Sequence, residues 1–196
     1  MRRIGIYAGS FNPVHAGHIA FALQALDAAR LDKIYFLPER RPRYKTDVEH
    51  FGHRTAMLTR ALKPYPEFDQ LELVDISFTV ERTLPQLKKR FKNAQLVFLL
   101  GSDVMPSVIN WPKSEHLLED SEFVVALRQG DDAEKLMDEL SEWPVPPRNL
   151  IVFESFAPSV SASDVREALR RRKSAKGLLK SVERYSNRHW LYVSLA

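Results

Sequence analysis

The sequence predicts an α/β fold in which an open, doubly wound, mostly parallel sheet carries helices on both faces. Short apolar runs alternate with helical patterns along the chain, and this alternation implies βαβ crossovers. Most of the runs are continuous rather than alternating in hydrophobicity, as expected of parallel strands that are covered on both sides. The 196 residues, of which 44% are hydrophobic and 28% charged, suit one domain over residues 1–196, with a helical C-terminal portion from about residue 161.

The predicted elements follow from these runs in order. Strands are expected at residues 3–8, 33–37, 71–76, 95–100, 122–127 and 149–153. A helix is expected from about Gly17 to Arg30, because Ile19, Leu23 and Leu26 recur at spacings of three and four. Further helices are expected around residues 56–62, 84–91, 114–118, 132–140, 163–172 and 175–185.

The composition narrows the possible functions. There is no cysteine, which excludes disulfides, thiolate metal sites and a cysteine nucleophile. The apolar run after the first residues is shorter than the ~7 to 15 residues of a signal-peptide core, and no run approaches the ~18 residues of a membrane span. We therefore expect a cytoplasmic protein without a membrane partner. The net charge of +4 and the pI near 9.3 favour anionic partners, although a solvated basic surface explains them equally well.

The loop after the first strand, from Gly9 to His18, is the expected ligand site, because ligands of doubly wound sheets bind beyond the carboxyl ends of the strands. Gly9 allows the backbone to approach a ligand, and Gly17 allows the next helix to begin with exposed amides that bind phosphate. If His18 opens that helix, His15 and His18 can both face the phosphate. A lone histidine near a helix start is more often a cap or surface residue. Two histidines without a third ligand make a poor zinc site, so no metal ligands are expected among the side chains.

Residues 9–18 read Gly-Ser-Phe-Asn-Pro-Val-His-Ala-Gly-His. This segment resembles the G-x-F-x-P-x-H-x-G-H signature of the HxGH nucleotidyltransferase superfamily, and every fixed position is filled. The resemblance implies a Rossmann-like fold, with direct displacement at the α-phosphate of ATP and no covalent intermediate. It also implies an ATP-binding set in this loop, formed by Gly9, Ser10, Phe11, His15, Gly17 and His18.

Residues 160–166 read Val-Ser-Ala-Ser-Asp-Val-Arg. Ser161 and Asp164 have capping-box spacing, and Arg166 lies in the first turn of the predicted helix, so an ordinary N-cap is one interpretation. The segment also resembles the I-S-S-T-x-I-R element of the same superfamily, with one hydroxyl lost. That resemblance implies that Ser161, Ser163 and Arg166 bind ATP.

The loop at residues 38–45 is basic and able to neutralise phosphates, although a solvated loop is the simpler alternative. It resembles the family's P-x-x-x-P-P-H-K element, with Pro38, Pro42 and Lys45 kept and Arg43 and Tyr44 at the other fixed positions. Lys45 is therefore expected to assist catalysis together with His15, His18 and Arg166.

The expected acceptor site lies in the middle of the chain, where Gly101-Ser102-Asp103 follows an apolar strand and precedes Trp111. Alone, these residues fit a turn aspartate and a core tryptophan equally well. Together with residues 53, 54, 57 and 77–79 they resemble the nicotinate mononucleotide adenylyltransferase branch. That resemblance implies that Gly101 and Asp103 bind the acceptor, that Trp111 stacks on its pyridine ring, and that Thr79 assists.

The expected substrates are thus ATP and a mononucleotide, either nicotinate or nicotinamide, with Mg²⁺ held mainly by the ATP phosphates. Two alternatives stay open. Another small phosphate, such as 4′-phosphopantetheine, could be the acceptor in the same chemistry. A nucleic-acid-binding or nucleotide-sensing module is disfavoured, because no RNA-binding aromatic signature is present. The sequence does not determine the oligomeric state.

Overall fold

The computed structural model describes residues 1–42, 45–73, 75, 77–157, 159–171 and 173–193. The strands are β1 (Arg2–Gly9), β2 (Lys33–Pro38), β3 (Phe68–Gln70), β4 (Ala94–Gly101), β5 (Glu122–Leu127) and β6 (Leu150–Glu154). The helices are α1 (Ala16–Ala28), α2 (Phe51–Leu62), α3 (Val80–Arg90), α4 (Ser114–Asp120), α5 (Ala133–Ser141), α6 (Ala162–Arg170) and α7 (Lys180–Arg188), and a 3₁₀ helix covers Met105–Asn110.

The strands form one six-stranded sheet in the order β3-β2-β1-β4-β5-β6. Every neighbouring pair in this sheet is parallel. The chain moves outward from β1 to β3 and then returns to place β4 on the other side of β1. This reversal is the topological switch point of a doubly wound sheet, where the loops after β1 and β4 diverge and leave a crevice for ligands.

Helices cover both faces of the sheet, as predicted. Side chains of β4 alternate between two apolar clusters: Val97 belongs to one and Phe98 to the other. The Val97 cluster includes Ala22 of α1, Met57 of α2, Val165 of α6 and Val182 of α7. The Phe98 cluster includes Leu84 of α3, Leu117 of α4 and Leu136 of α5.

The third strand was predicted in the wrong place. The structure forms β3 at Phe68–Gln70, which pairs with Ile34, Tyr35 and Phe36 of β2. Residues 71–73 are irregular, and residues 74 and 76 of the predicted strand lie outside the described residues. Leu71 is only 2% exposed, so its apolar side chain reports burial rather than strand structure.

Helix ends differ from prediction where local backbone geometry decides them. Helix α1 begins at Ala16 and ends at Ala28, because Arg30 takes a left-handed conformation with φ of 48° and terminates the helix. Helix α3 begins at Val80, earlier than predicted, because the Thr79 hydroxyl caps it by accepting from the Arg82 N–H at 3.3 Å. In the described part of the chain no helix is long and apolar enough to cross a membrane.

Candidate active site

The loop between β1 and α1 places the two histidine rings against each other at the switch point. His15 is the N-cap residue of α1, so the helix begins one residue before the predicted Gly17, and His18 lies in its first turn. The ring centroids are 3.7 Å apart. The backbone N–H of His15 donates to Nδ1 of His18 at 3.2 Å. This bond fixes the imidazole of His18 and leaves its Nε2 to carry the proton of the neutral ring.

Both imidazoles are neutral at physiological pH. Burial, with the positive charge of Arg128 as a smaller cause, lowers the pKa of His15 from 6.5 to about 4. Burial also lowers the pKa of His18 well below 6.5, with smaller contributions from His15, Lys45 and Arg128. Nδ1 of His15 is buried and has no hydrogen-bond partner in the described part of the chain. A buried polar atom without a partner is costly, and a ligand at this loop is the natural group to satisfy it.

The glycines of the loop make room for its own rings. A Cβ on Gly9 would lie 3.3 Å from the ring of Phe11, and a Cβ on Gly17 would lie 3.0 Å from the ring of His15. Phe11 has a φ of 44°, which is strained for a bulky residue. Its ring is 1% exposed and packs edge-on against Tyr7 and His18. The loop conformation thus depends on small residues at both ends.

The second signature lies directly against this loop. Ser161 is the N-cap of α6, and its hydroxyl accepts from the Asp164 N–H at 3.1 Å, as the spacing predicts. Nη1 of Arg166 donates to the backbone carbonyl of Asn12 at 2.9 Å, and Nη2 donates to the Ser163 hydroxyl at 3.2 Å. The capping interpretation is therefore confirmed, and Arg166 contacts the β1–α1 loop.

Lys45 also reaches the β1–α1 loop. Its Nζ donates to the Ser10 hydroxyl at 3.0 Å, which places the ammonium group near the histidine pair. Arg43 and Tyr44 lie outside the described residues. The structure thus brings together Ser10, His15, His18 and Lys45, although more than twenty residues separate the lysine from the loop in sequence.

Arg54 of α2 is a residue to which the sequence assigned no role. It is 0% exposed and donates to backbone carbonyls on two loops. Nη1 donates to Ser10, Nη2 donates to Glu39 at 2.8 Å and to Arg40 at 3.1 Å, and Nε donates to Glu49 at 2.8 Å. Arg54 therefore ties the β1–α1 loop to the basic loop after β2. The family resemblance includes residue 54 but does not give its partners, and the apolar periodicity of α2 indicates only that this helix face is buried.

Arg128 is a second residue that sequence reasoning missed. It follows β5 and forms an ion pair with Asp103 at 2.9 Å, with side chains 61% and 46% exposed. An exposed pair of this kind is worth little, about 0 to 1 kcal/mol, so Arg128 can exchange Asp103 for a ligand phosphate. The Ser102 hydroxyl and the Arg128 N–H donate to Asp131 and lower the pKa of that carboxyl. The position of Arg128 directly after an apolar strand could have indicated a ligand-binding cation, because ligands bind beyond the carboxyl ends of the strands.

Of the residues predicted to bind the acceptor, Trp111 lies on the Phe98 side of the sheet. Trp111 is partly buried and its ring lies 5.8 Å from that of Phe78, in a tilted orientation. The Phe78 N–H donates to the Glu39 carboxylate at 2.8 Å, and the Glu39 N–H donates to the Gly9 carbonyl at 3.0 Å. Thr79 caps α3. A Cβ on Gly101 would lie 2.4 Å from the Asp103 carboxylate, so this glycine makes room for the turn.

The fold and site define a nucleotidyltransferase. A family model described as cytidylyltransferase-like matches residues 6–168, which is more than half of the chain, and the chain belongs to this family. Within it, the chain is 32% identical to the nicotinate-nucleotide adenylyltransferase of Bacillus subtilis over 99% of this chain and 100% of that protein. This similarity confirms the predicted nicotinate mononucleotide adenylyltransferase branch of the HxGH superfamily.

Solved structures agree with the predicted fold. The nicotinic acid mononucleotide adenylyltransferase of Plasmodium falciparum, complexed with APC, has a TM-score of 0.79 at 20% identity, over 98% of both chains. Its complex with NaAD has a TM-score of 0.79 at 21% identity, with the same coverage. The predicted Rossmann-like, doubly wound fold is confirmed.

Proposed function

We propose that this chain transfers the adenylyl group of ATP to nicotinate mononucleotide, giving the dinucleotide and pyrophosphate, as a step of NAD biosynthesis in the cytoplasm. The observation that carries the proposal is the pair of neutral imidazoles at the switch point, with Arg166 and Lys45 bonded to the same loop. Donors and cations arranged around one loop suit a polyphosphate. The relatives named as adenylyltransferases of the nicotinate nucleotide support the choice of acceptor.

The residues act by positioning and charge stabilisation. A phosphate oxygen of the acceptor attacks the α-phosphorus of ATP in line, the new O–P bond forms as the bond to the β-phosphate oxygen breaks, and pyrophosphate leaves with the electron pair. The attacking phosphate is already ionised, so no side chain has to remove a proton. His15 and His18 donate to the transferring and leaving phosphates, while Lys45, Arg166 and Arg128 offset their negative charge.

Magnesium enters with ATP as part of the substrate. In the described residues no group of three or more histidine or carboxylate side chains could hold a metal ion. Asp103, a carboxylate in the loop after β4, forms an ion pair with Arg128. The donor set therefore fits an ion held by phosphate oxygens and water, which Mg²⁺ prefers.

The acceptor pocket is proposed to lie between the β4 loop and the Phe78–Trp111 pair. Gly101 and Asp103 would face the ribose, Thr79 would assist, and Trp111 would stack on the pyridine ring. This arrangement requires no nucleic acid, and the partners are two small molecules. Phe78 replaces the tyrosine usual in the branch, so acid and amide forms of the acceptor both belong in the test.

A pyrophosphate-release assay over a panel of acceptors tests the proposal. Purified protein with MgATP should release pyrophosphate with nicotinate mononucleotide or its amide, and mass spectrometry should detect the dinucleotide. If only 4′-phosphopantetheine is turned over, the proposed acceptor is wrong but the proposed adenylyl transfer is retained. If no acceptor gives pyrophosphate release, the proposed function is rejected.

A further inference from the structure

The C-terminal segment returns to the β1–α1 loop after α7. The Tyr192 hydroxyl donates to Oδ1 of Asn12 at 2.9 Å across a sequence separation of 180 residues. Tyr192 is 8% exposed and Asn12 is 3% exposed, so the bond is shielded from water. The Tyr192 backbone N–H donates to the Glu49 carboxylate at 3.1 Å, which holds the tyrosine at the loop.

Asn12 is the hub through which this contact acts. Its Oδ1 accepts a second bond from the Glu49 N–H at 3.2 Å, and its Nδ2 donates to the Asp47 carbonyl at 3.0 Å. Its backbone carbonyl accepts from Arg166 at 2.9 Å. Three segments distant in sequence therefore converge on one residue of the loop that carries the histidine pair. Asn12 therefore links Arg166 to the loop that carries the histidines.

The Tyr192 phenol is fitted to act as a permanent donor in this network. Burial raises its pKa, and the Glu49 carboxylate raises it further, so the phenol keeps its proton. A second tether from the same C-terminal region supports the same loop: the Ala16 N–H, at the start of α1, donates to the Gly177 carbonyl at 2.8 Å. Gly177 has a φ of +83°, and a Cβ there would lie 2.3 Å from Val160, so this tether depends on glycine.

We propose that Tyr192 is a positioning residue for the phosphate-binding loop and acts through its bond to Asn12. The inference rests on the proposed function in one respect, namely that this loop binds the ATP phosphates. The C-terminal segment thus takes part in ATP recognition without touching ATP. Removing the hydroxyl leaves the buried Oδ1 of Asn12 with one donor instead of two, and the loop can shift while the ring still fills its space.

The test compares Tyr192→Phe with Tyr185→Phe. Tyr185 is the matched control, because its hydroxyl lies 3.1 Å from Nδ1 of His53 and joins α7 to α2 instead of bonding to Asn12. MgATP affinity is measured by calorimetry without acceptor, and kcat and KM for both substrates are measured with nicotinate mononucleotide. Tyr192→Phe should weaken MgATP binding or lower kcat/KM for ATP by about tenfold, with the acceptor KM within about twofold of wild type and a melting temperature close to that of Tyr185→Phe.

Three results would overturn the inference: equal MgATP affinity and kinetics in the two variants, a loss in Tyr192→Phe that affects both substrates alike and follows a lower melting temperature, or a wild-type protein that does not bind MgATP. Failure of the proposed acceptor is distinguishable from failure of the role inferred for Tyr192. If wild type binds MgATP but turns over no mononucleotide, calorimetry of the two variants still decides the role of Tyr192.

Discussion

Acidification should destabilise this fold through the protonation of His15. The residue is 7% exposed, and its pKa is lowered from 6.5 to about 4, mainly by burial. The unfolded chain then binds this proton more tightly than the folded one between these two values. A histidine with a lowered pKa contributes stability that is fully present above pH 6.5 and is lost as the pH falls towards 4. From about pH 7.5 to about pH 4.5 the loss is about 2 to 3 kcal/mol in the free energy of unfolding.

Urea unfolding of wild type, His15→Asn and His116→Asn at about pH 7.5, 6 and 4.5 measures this contribution. His15→Asn should lose about 2 kcal/mol less than wild type over this range, because the variant has no imidazole to protonate at this site. His116 is exposed on α4, and its variant should follow wild type. Parallel curves for His15→Asn and wild type would refute the burial of a neutral imidazole at the loop.

Three further substitutions test the site. His18→Ala should lower kcat by about 100- to 1000-fold with little change in melting temperature, since it removes a donor to the transition state; a folded variant with a normal rate contradicts its role. Arg166→Ala should weaken MgATP binding about tenfold or more in calorimetry, and unchanged binding would reduce residues 160–166 to a capped helix. Trp111→Ala should raise the acceptor KM about tenfold and leave ATP binding nearly unchanged. If Trp111 serves only the core, thermal melts will instead show a loss of about 3 to 5 kcal/mol, with both substrates affected.

Local patterns in the sequence were sufficient for most of the fold. Residues 96–100 and 123–127 are apolar throughout, and the structure places them in the adjacent strands β4 and β5, with buried side chains on both faces. The cap of α6 at Ser161 was also readable, because a capping box operates within four residues of chain. The position of the third strand could not be read from the sequence. At Phe68–Gln70 the pairing with β2 decided the strand, whereas residues 71–73 of the more apolar segment that follows are irregular.

By itself the sequence determined the order of strands and helices, the loop that carries His15 and His18, and the family to which that loop belongs. Only the tertiary structure decided that Arg54 joins two loops through their carbonyls, that Arg128 pairs with Asp103, and that Tyr192 bonds to Asn12. The physical reason is the separation along the chain of the residues that determine each feature. Caps, turns and apolar runs are fixed by neighbours along the chain, whereas these contacts join residues brought together only when the helices pack on the sheet, and no periodic pattern records which side chains will meet.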